Sequence, residues 1–263
     1  MLPTRRLFVL LLTVVAAAAL AQPSSGQTPS VRDVLAPSGT LRVGVYPGSP
    51  TSMVQTGGER HGISYDLGQE LARRIDAPFE LVTYSRVAEV IDAKKTGAVD
   101  FTVTNATSAR AQIVDFSPTL LSLELGYLVP ANSPIRAAAD VDKPGHRIGV
   151  TLGSTSERTL PTVLANAKVV PAPNVKEASQ MLASGQLEAF ATNKAILFEM
   201  SDGTPGTRVL EGRWGTEHMA IAVPKGRTAA HAYLRQFTED MQKNGMLARA
   251  IEQSGLRGTL KLD

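Results

Sequence analysis

Strand-like and helix-like stretches alternate along this chain, and the alternation starts twice. Thr40 to Tyr46 reads as a buried strand around Leu41-Arg42-Val43-Gly44-Val45, stopped by Pro47-Gly48-Ser49-Pro50. Gly62 to Ile75 carries Ile63, Leu67, Leu71 and Ile75 at every fourth position, which is a helical stripe. Phe79 to Tyr84 returns as strand, Val87, Val90 and Ile91 open a helix that Gly97 ends, and Val99 to Val103 is strand again. The apolar strand Leu120 to Pro130 then leads into Ala131-Asn132-Ser133-Pro134, and the pattern restarts. Arg147 to Thr151, Lys168 to Val170, Leu187 to Thr192 and Met219 to Val223 read as strands. Helices are expected from Gly153-Ser154-Thr155 to Ala165, over Val175 to Ala183, from the cap Asn193 to Met200, over Thr228 to Lys243 and over Met246 to Ser254. Such alternation predicts mainly parallel sheets flanked by helices, and its restart predicts two α/β lobes. The expected division is 39–130 for the first part of lobe 1, 131–220 for lobe 2 and 221–263 for the return to lobe 1 and the C-terminal helices. The chain would cross near Leu128 to Ser133 and cross back near Ile221 to Lys225.

The first residues read differently. A basic start at Arg5 and Arg6, an apolar run from Leu7 to Leu20 and the site Ala19-Leu20-Ala21 make a secretory signal peptide over residues 1–21. An uncleaved anchor is the alternative, and the run is short for a bilayer span. Thr4-Arg5-Arg6-Leu7-Phe8 also fits a twin-arginine signal, so the export route stays open. Gln22 to Ser38 is rich in Pro, Ser and Gly and reads as a flexible lead-in. None of the 263 residues is cysteine, which excludes a lipid-anchored cysteine and any disulfide framework. A soluble periplasmic protein is the expectation. Loss of residues 1–21 lowers Lys+Arg from 27 to 25 against 24 Asp+Glu. With no basic block left, no nucleic-acid partner is expected. His61, His146, His218 and His231 are scattered without metal-ligand spacing, and the apolar stripes are packing faces. No metal, cofactor or catalytic set is expected.

Chemistry concentrates in Asp100 to Ser117. A short strand runs into a polar turn with Asn105, Thr107 and Ser108, and a single arginine follows at Arg110. A strand end fixes the turn in space, and one guanidinium can grip a carboxylate with two parallel hydrogen bonds. Thr107 equally suits the N-cap of a short helix that carries Arg110.

Several segments in order resemble one family. They are Gly62-Ile-Ser-Tyr-Asp66-Leu67, the run from Ser85-Arg86 to Gly97-Ala-Val-Asp100, Thr107-Ser-Ala-Arg110 and Val114-Asp115-Phe116-Ser117-Pro118. Later come Ile148-Gly-Val-Thr-Leu-Gly153-Ser154-Thr155, Ala183-Ser-Gly-Gln-Leu-Glu188-Ala-Phe-Ala-Thr-Asn193 and Ile221-Ala-Val-Pro-Lys225-Gly226. Together they resemble the bacterial extracellular solute-binding proteins, family 3, which serve ABC importers of amino acids and similar small solutes. The resemblance implies a two-lobed periplasmic-binding-protein fold of type II with two hinge crossings. It implies a monomer that hands a small carboxylate or amino-acid-like ligand to an ABC permease at the inner membrane. By the same resemblance Arg110 clamps the ligand carboxylate, Asn105 and Thr107 add polar contacts, and Ser154 and Thr155 contribute hydrogen bonds from the second lobe. A glycine-led turn opening a helix suits that last role, while Ser154 also reads as a plain N-cap.

Three positions depart from or extend the pattern. Amino-acid binders of the family usually carry an aspartate where this chain has Asn193, and an amide cannot neutralise a ligand ammonium. Asn193 is therefore either a mark of a carboxylate or dicarboxylate ligand in preference to a cationic amino acid or simply the cap of the next helix. Tyr46 is the one aromatic in the loop that commonly stacks on the ligand. Arg86 matches an arginine that reaches a second carboxylate in acidic-amino-acid binders, and it equally suits a helix start on the surface. Two other functional classes stay open: a prephenate- or arogenate-dehydratase-like enzyme, for which Glu188 and Asp100 are the acids nearest strand ends, and an accessory sensor domain.

Overall fold

The computed structural model describes residues 29–260. The predicted signal peptide lies outside the described residues. The first half comprises α1 (Val31–Leu35), β1 (Leu41–Val45), β2 (Val54–Thr56), β3 (Glu59–His61), α2 (Ile63–Arg74), β4 (Phe79–Thr83), α3 (Val87–Lys95), β5 (Thr102–Asn105), α4 (Ser108–Ala111) and β6 (Val114–Pro130). The second comprises β7 (Arg147–Thr151), α5 (Thr155–Thr159), β8 (Lys168–Ala172), α6 (Val175–Ala183), β9 (Ala189–Asn193), α7 (Lys194–Gly203), β10 (Thr207–Val209), β11 (Gly215–Pro224), α8 (His231–Lys243), α9 (Met246–Gln253) and β12 (Thr259–Leu260). No helix among the described residues is long and apolar enough to cross a membrane.

Two parallel cores form around β1 and β7. β1 pairs in parallel with β4 and meets Phe101 through the Val43–Phe101 bridge, so the strand expected at Val99 begins as a bridge and becomes regular at Thr102. β7 lies between β8 and β9, parallel to both. Apart from the β2–β3 hairpin, antiparallel pairing involves the strands that cross between lobes: β6 with β11, β9, β10 and β12, and β11 with β5. The helical stripe of α2 is buried at Ile63, Leu67 and Leu71 and packs with α8 and α9 on one face of the first sheet. α2 approaches β1 closely, since a Cβ on Gly68 would lie 2.7 Å from a Val43 methyl. α3 covers the other face with Val90 and Ala93. In the second lobe Ile148 and Val150 face one core while Phe190 and Leu187 face another.

Several expectations need correction. The lead-in is not featureless: Ser30 and Asp33 cap each other's backbone, α1 follows, and Leu35 is fully buried in the first core. The hydrogen bonds of a capping box and one buried leucine outweigh the Pro- and Gly-rich composition around them. β6 is one strand of 17 residues whose partner changes from β11 to β9 at Leu125, and Tyr127 and Val129 already belong to the second lobe's core. On the return, Met219 and Ile221 pack in the first core, so β11 re-enters near Gly215 to Glu217. The helix expected to reach Ala165 stops at Thr159, where Pro161 forces a 3-10 turn over Leu160–Thr162. The hairpin β2–β3, turning on Gly57-Gly58, was not foreseen.

Candidate functional site

The carboxyl ends of β1, β5, β7 and β9 converge between the lobes, the position where open α/β sheets bind ligands. They enclose a narrow cavity that stays open at its mouth. Tyr46, Arg86, Thr104, Asn105 and Arg110 line it from lobe 1. Thr151, Ser154, Thr155, Thr192 and Asn193 line it from lobe 2, and Glu217 and Met219 of β11 close it between them. The lobes touch around its rim. Arg86 Nη1 donates to the Pro173 carbonyl at 3.4 Å, and Gly153 backs directly onto Ala88.

Arg110 projects from α4 into this space and is 5% exposed. Its Nη1 donates to Thr104 Oγ1 at 2.6 Å and to the Asn105 carbonyl at 3.3 Å. Both bonds hold one end of the guanidinium, and Nε and Nη2 are left for an anion. Burial pulls its pKa down, while Glu217 and Tyr46 pull it back up. Arginine stays charged under such shifts.

The seven expected residues Tyr46, Arg86, Asn105, Arg110, Ser154, Thr155 and Asn193 all line the cavity. Thr107 does not. It caps α4, accepting the Arg110 N–H at 3.2 Å, so it positions Arg110 instead of touching the cavity. Ser154 caps α5 by accepting the Glu157 N–H at 3.1 Å, and the Glu157 carboxylate takes the Gly153 N–H. Of the polar groups expected from this turn, the Thr155 hydroxyl is the one left buried without a partner. Tyr46 points its hydroxyl to Ser49 Oγ at 3.4 Å and packs with Val90 and Val99, forming part of the wall. Arg86 Nη2 pairs with Glu89 at 3.2 Å, and its buried Nε has no partner. Among the described residues four buried side-chain polar atoms are unpartnered, and two of them, Arg86 Nε and Thr155 Oγ1, belong to this cavity's lining.

Sequence reasoning missed Glu217. It is 7% exposed, and its two oxygens are held from different lobes. Asn193 Nδ2 donates to Oε2 at 2.9 Å, and Asn105 Nδ2 donates to Oε1 at 3.4 Å. Asn193 at the same time caps α7 by accepting the Ile196 N–H at 3.1 Å. Asn105 Oδ1 accepts the His218 N–H at 3.0 Å, which fixes its amide. Burial pushes the Glu217 carboxyl above its ordinary range, opposed by the Asn193 hydrogen bond, the Arg110 charge and Asn105. The signal was alternation: Glu217 and Met219 share one strand face, but the strand was expected to start only at Met219. The acids considered from sequence lie outside the lining. Asp100 is fully buried between Arg42 and Arg227, each at 2.7 Å, and Glu188 pairs with Arg147 at 2.7 Å.

Comparison with known proteins agrees with this architecture. The ABC transporter glutamine-binding protein GlnH of Bacillus subtilis (strain 168) is 28% identical over 193 residues, covering 72% of this chain and 70% of that protein. An ancestral arginine-binding protein solved bound to glutamine superposes with a TM-score of 0.72 at 29% identity, over 82% of this chain and 97% of that one. An ancestral amino acid-binding protein, described as a precursor of cyclohexadienyl dehydratase, gives 0.74 at 26% identity, over 85% and 99%. The family model for bacterial extracellular solute-binding proteins, family 3, matches residues 41–255, and the chain belongs to that family.

Proposed function

We propose that this protein is the solute receptor of an ABC importer and captures a small carboxylate-bearing, amino-acid-like solute between its lobes. The observation that carries this is the buried Arg110 guanidinium, which among the described residues has no anionic partner and opens on a cavity shared by both lobes. The unpartnered Thr155 hydroxyl faces the same solute from the opposite lobe. A solute biases closure only through contacts made better in the closed state, so groups from both lobes are required. Relatives that carry amino acids for ABC transporters support this solute class and a membrane permease as partner. Export by the segment 1–21, a periplasmic location and a monomeric state complete the reading.

Native mass spectrometry of the purified protein tests it. The expected spectrum shows a bound solute of amino-acid mass that is lost in Arg110→Ala. Retention of the same solute by Arg110→Ala would overturn the role of Arg110.

A second reading rests on Glu217 alone. A carboxyl whose proton affinity is raised by burial is the kind of general acid that eliminations use. Incubation with prephenate and detection of phenylpyruvate separates an enzyme from a receptor. A receptor yields no product above the spontaneous rate.

A further inference from the structure

If Arg110 takes the carboxylate, the other end of the solute faces Glu217. We infer that Glu217 receives the solute's ammonium, so that the site selects zwitterionic α-amino acids over the corresponding organic acids. The inference rests on the carboxylate reading of Arg110 and adds the second half of the recognition. It also reverses what Asn193 suggested in the sequence, because the acid missing from the end of β9 stands on the hinge strand β11.

Three observations carry it. First, the cavity holds one buried cation and one buried anion, and among the described residues neither forms an ion pair. A buried charge is costly until it is compensated, and a zwitterion compensates both at once. A monocarboxylate would satisfy Arg110 and leave Glu217 alone, and a dicarboxylate would set a second anion beside it. Second, the partners of Glu217 orient it without neutralising it. A carboxylate accepts about four hydrogen bonds. The amides of Asn105 and Asn193 supply one to each oxygen, and the remaining lone pairs are free for a third donor. Third, those two amides are themselves fixed, Asn193 as the cap of α7 and Asn105 by the His218 N–H. The carboxylate is thus held from both lobes at the point where they join, and an ammonium bound there touches the closed arrangement.

The rival explanation is a strut, in which Glu217 only ties the two amides together. A glutamine keeps one acceptor oxygen and sets an NH2 against the other fixed amide, so loss of a strut would weaken amino acid and des-amino acid alike and leave their ratio unchanged. Thermal-shift screening of the purified protein with the common L-amino acids, each paired with its des-amino carboxylic acid, selects the pair with the largest shift. Calorimetric titration of that pair then compares the wild type, Glu217→Gln and Arg110→Ala. The expected result is a preference of at least about 100-fold for the amino acid in the wild type, which is about 2.8 kcal/mol at about 1.4 kcal/mol per tenfold. In Glu217→Gln the preference collapses to less than about fivefold, because only the amino acid loses a charge partner, and the ratio of the two affinities is read rather than either affinity alone. A wild-type preference near one, or a preference that survives Glu217→Gln, overturns the assignment. The wild-type comparison decides alone if Glu217→Gln does not fold. Failure of Arg110→Ala to weaken either member of the pair overturns the carboxylate reading instead, and leaves Glu217 to be judged by its own ratio.

Discussion

Gly153 offers a way to weaken closure without touching the solute. It belongs to the turn before α5 in lobe 2, and a Cβ placed on it would lie 2.5 Å from the Cβ of Ala88 on α3 in lobe 1. Ordinary contact begins at 3.4 Å, so Gly153→Ala asks for nearly 1 Å of separation across the rim. Gly153 also has φ +74°, where an alanine costs about 1–2 kcal/mol. That strain is local and acts equally in open and closed forms, so it lowers Tm and leaves affinity unchanged. The clash exists only when the lobes meet, and overpacking of this kind costs about 1–3 kcal/mol, or about 5- to 150-fold in Kd. Replacing Ala88 with glycine removes the opposing methyl. Calorimetry on Gly153→Ala, Ala88→Gly and the double variant therefore gives a cycle in which Ala88→Gly restores most of the lost affinity but not the lost Tm. An unchanged Kd in Gly153→Ala, or a loss that Ala88→Gly does not repair, would refute closure through this contact.

Other consequences can be measured separately. Lys94 is 2% exposed, and its Nζ has no partner. Lys94→Met should stabilise the fold by about 1–3 kcal/mol, the cost of an unsatisfied buried polar group, seen as a higher Tm. Burial, with Arg227 nearby, holds the Lys94 pKa well below that of the unfolded chain. The unfolded chain therefore binds more protons between the two values, and wild-type stability should rise with pH up to about 10.4. Denaturation curves against pH should show that rise shrinking in Lys94→Met, and parallel curves would contradict it. Thr155→Val removes a hydroxyl that has no partner within the protein. It should leave Tm equal or higher while weakening solute binding by about 1 kcal/mol, near fivefold, and equal binding would remove Thr155 from the contact.

Much of the fold was legible because one period dominates each element. The spacing of Ile63, Leu67 and Leu71 fixes α2, and Leu41 to Val45 fixes β1, almost to the residue. Elements whose pattern is interrupted were harder. Pro118 and the Ser and Thr positions around it hide the first part of β6, although the partner strand β11 keeps the ladder there. Ser30 and Asp33 carry a capping signal inside a segment whose composition says loop. For the site, residues at strand ends were found through the family resemblance, whose motifs fall on those strand ends. Thr107 was assigned to the cavity, yet its hydroxyl serves the backbone of the residue that does reach it. Glu217 comes 24 positions after Asn193 and faces it only because β6 joins β9 and β11 into one sheet. That relation is tertiary, and no local pattern encodes it.

The most direct test is a crystal structure of the protein with the solute recovered from it. The solute should lie between the lobes with its carboxylate about 2.7–2.9 Å from the Nε and Nη2 of Arg110 and its amine at similar range from Glu217. The Thr155 hydroxyl should reach it from the second lobe. A solute bound outside this cavity, or one whose amine points away from Glu217 while its carboxylate rests on lobe 2, would contradict that arrangement.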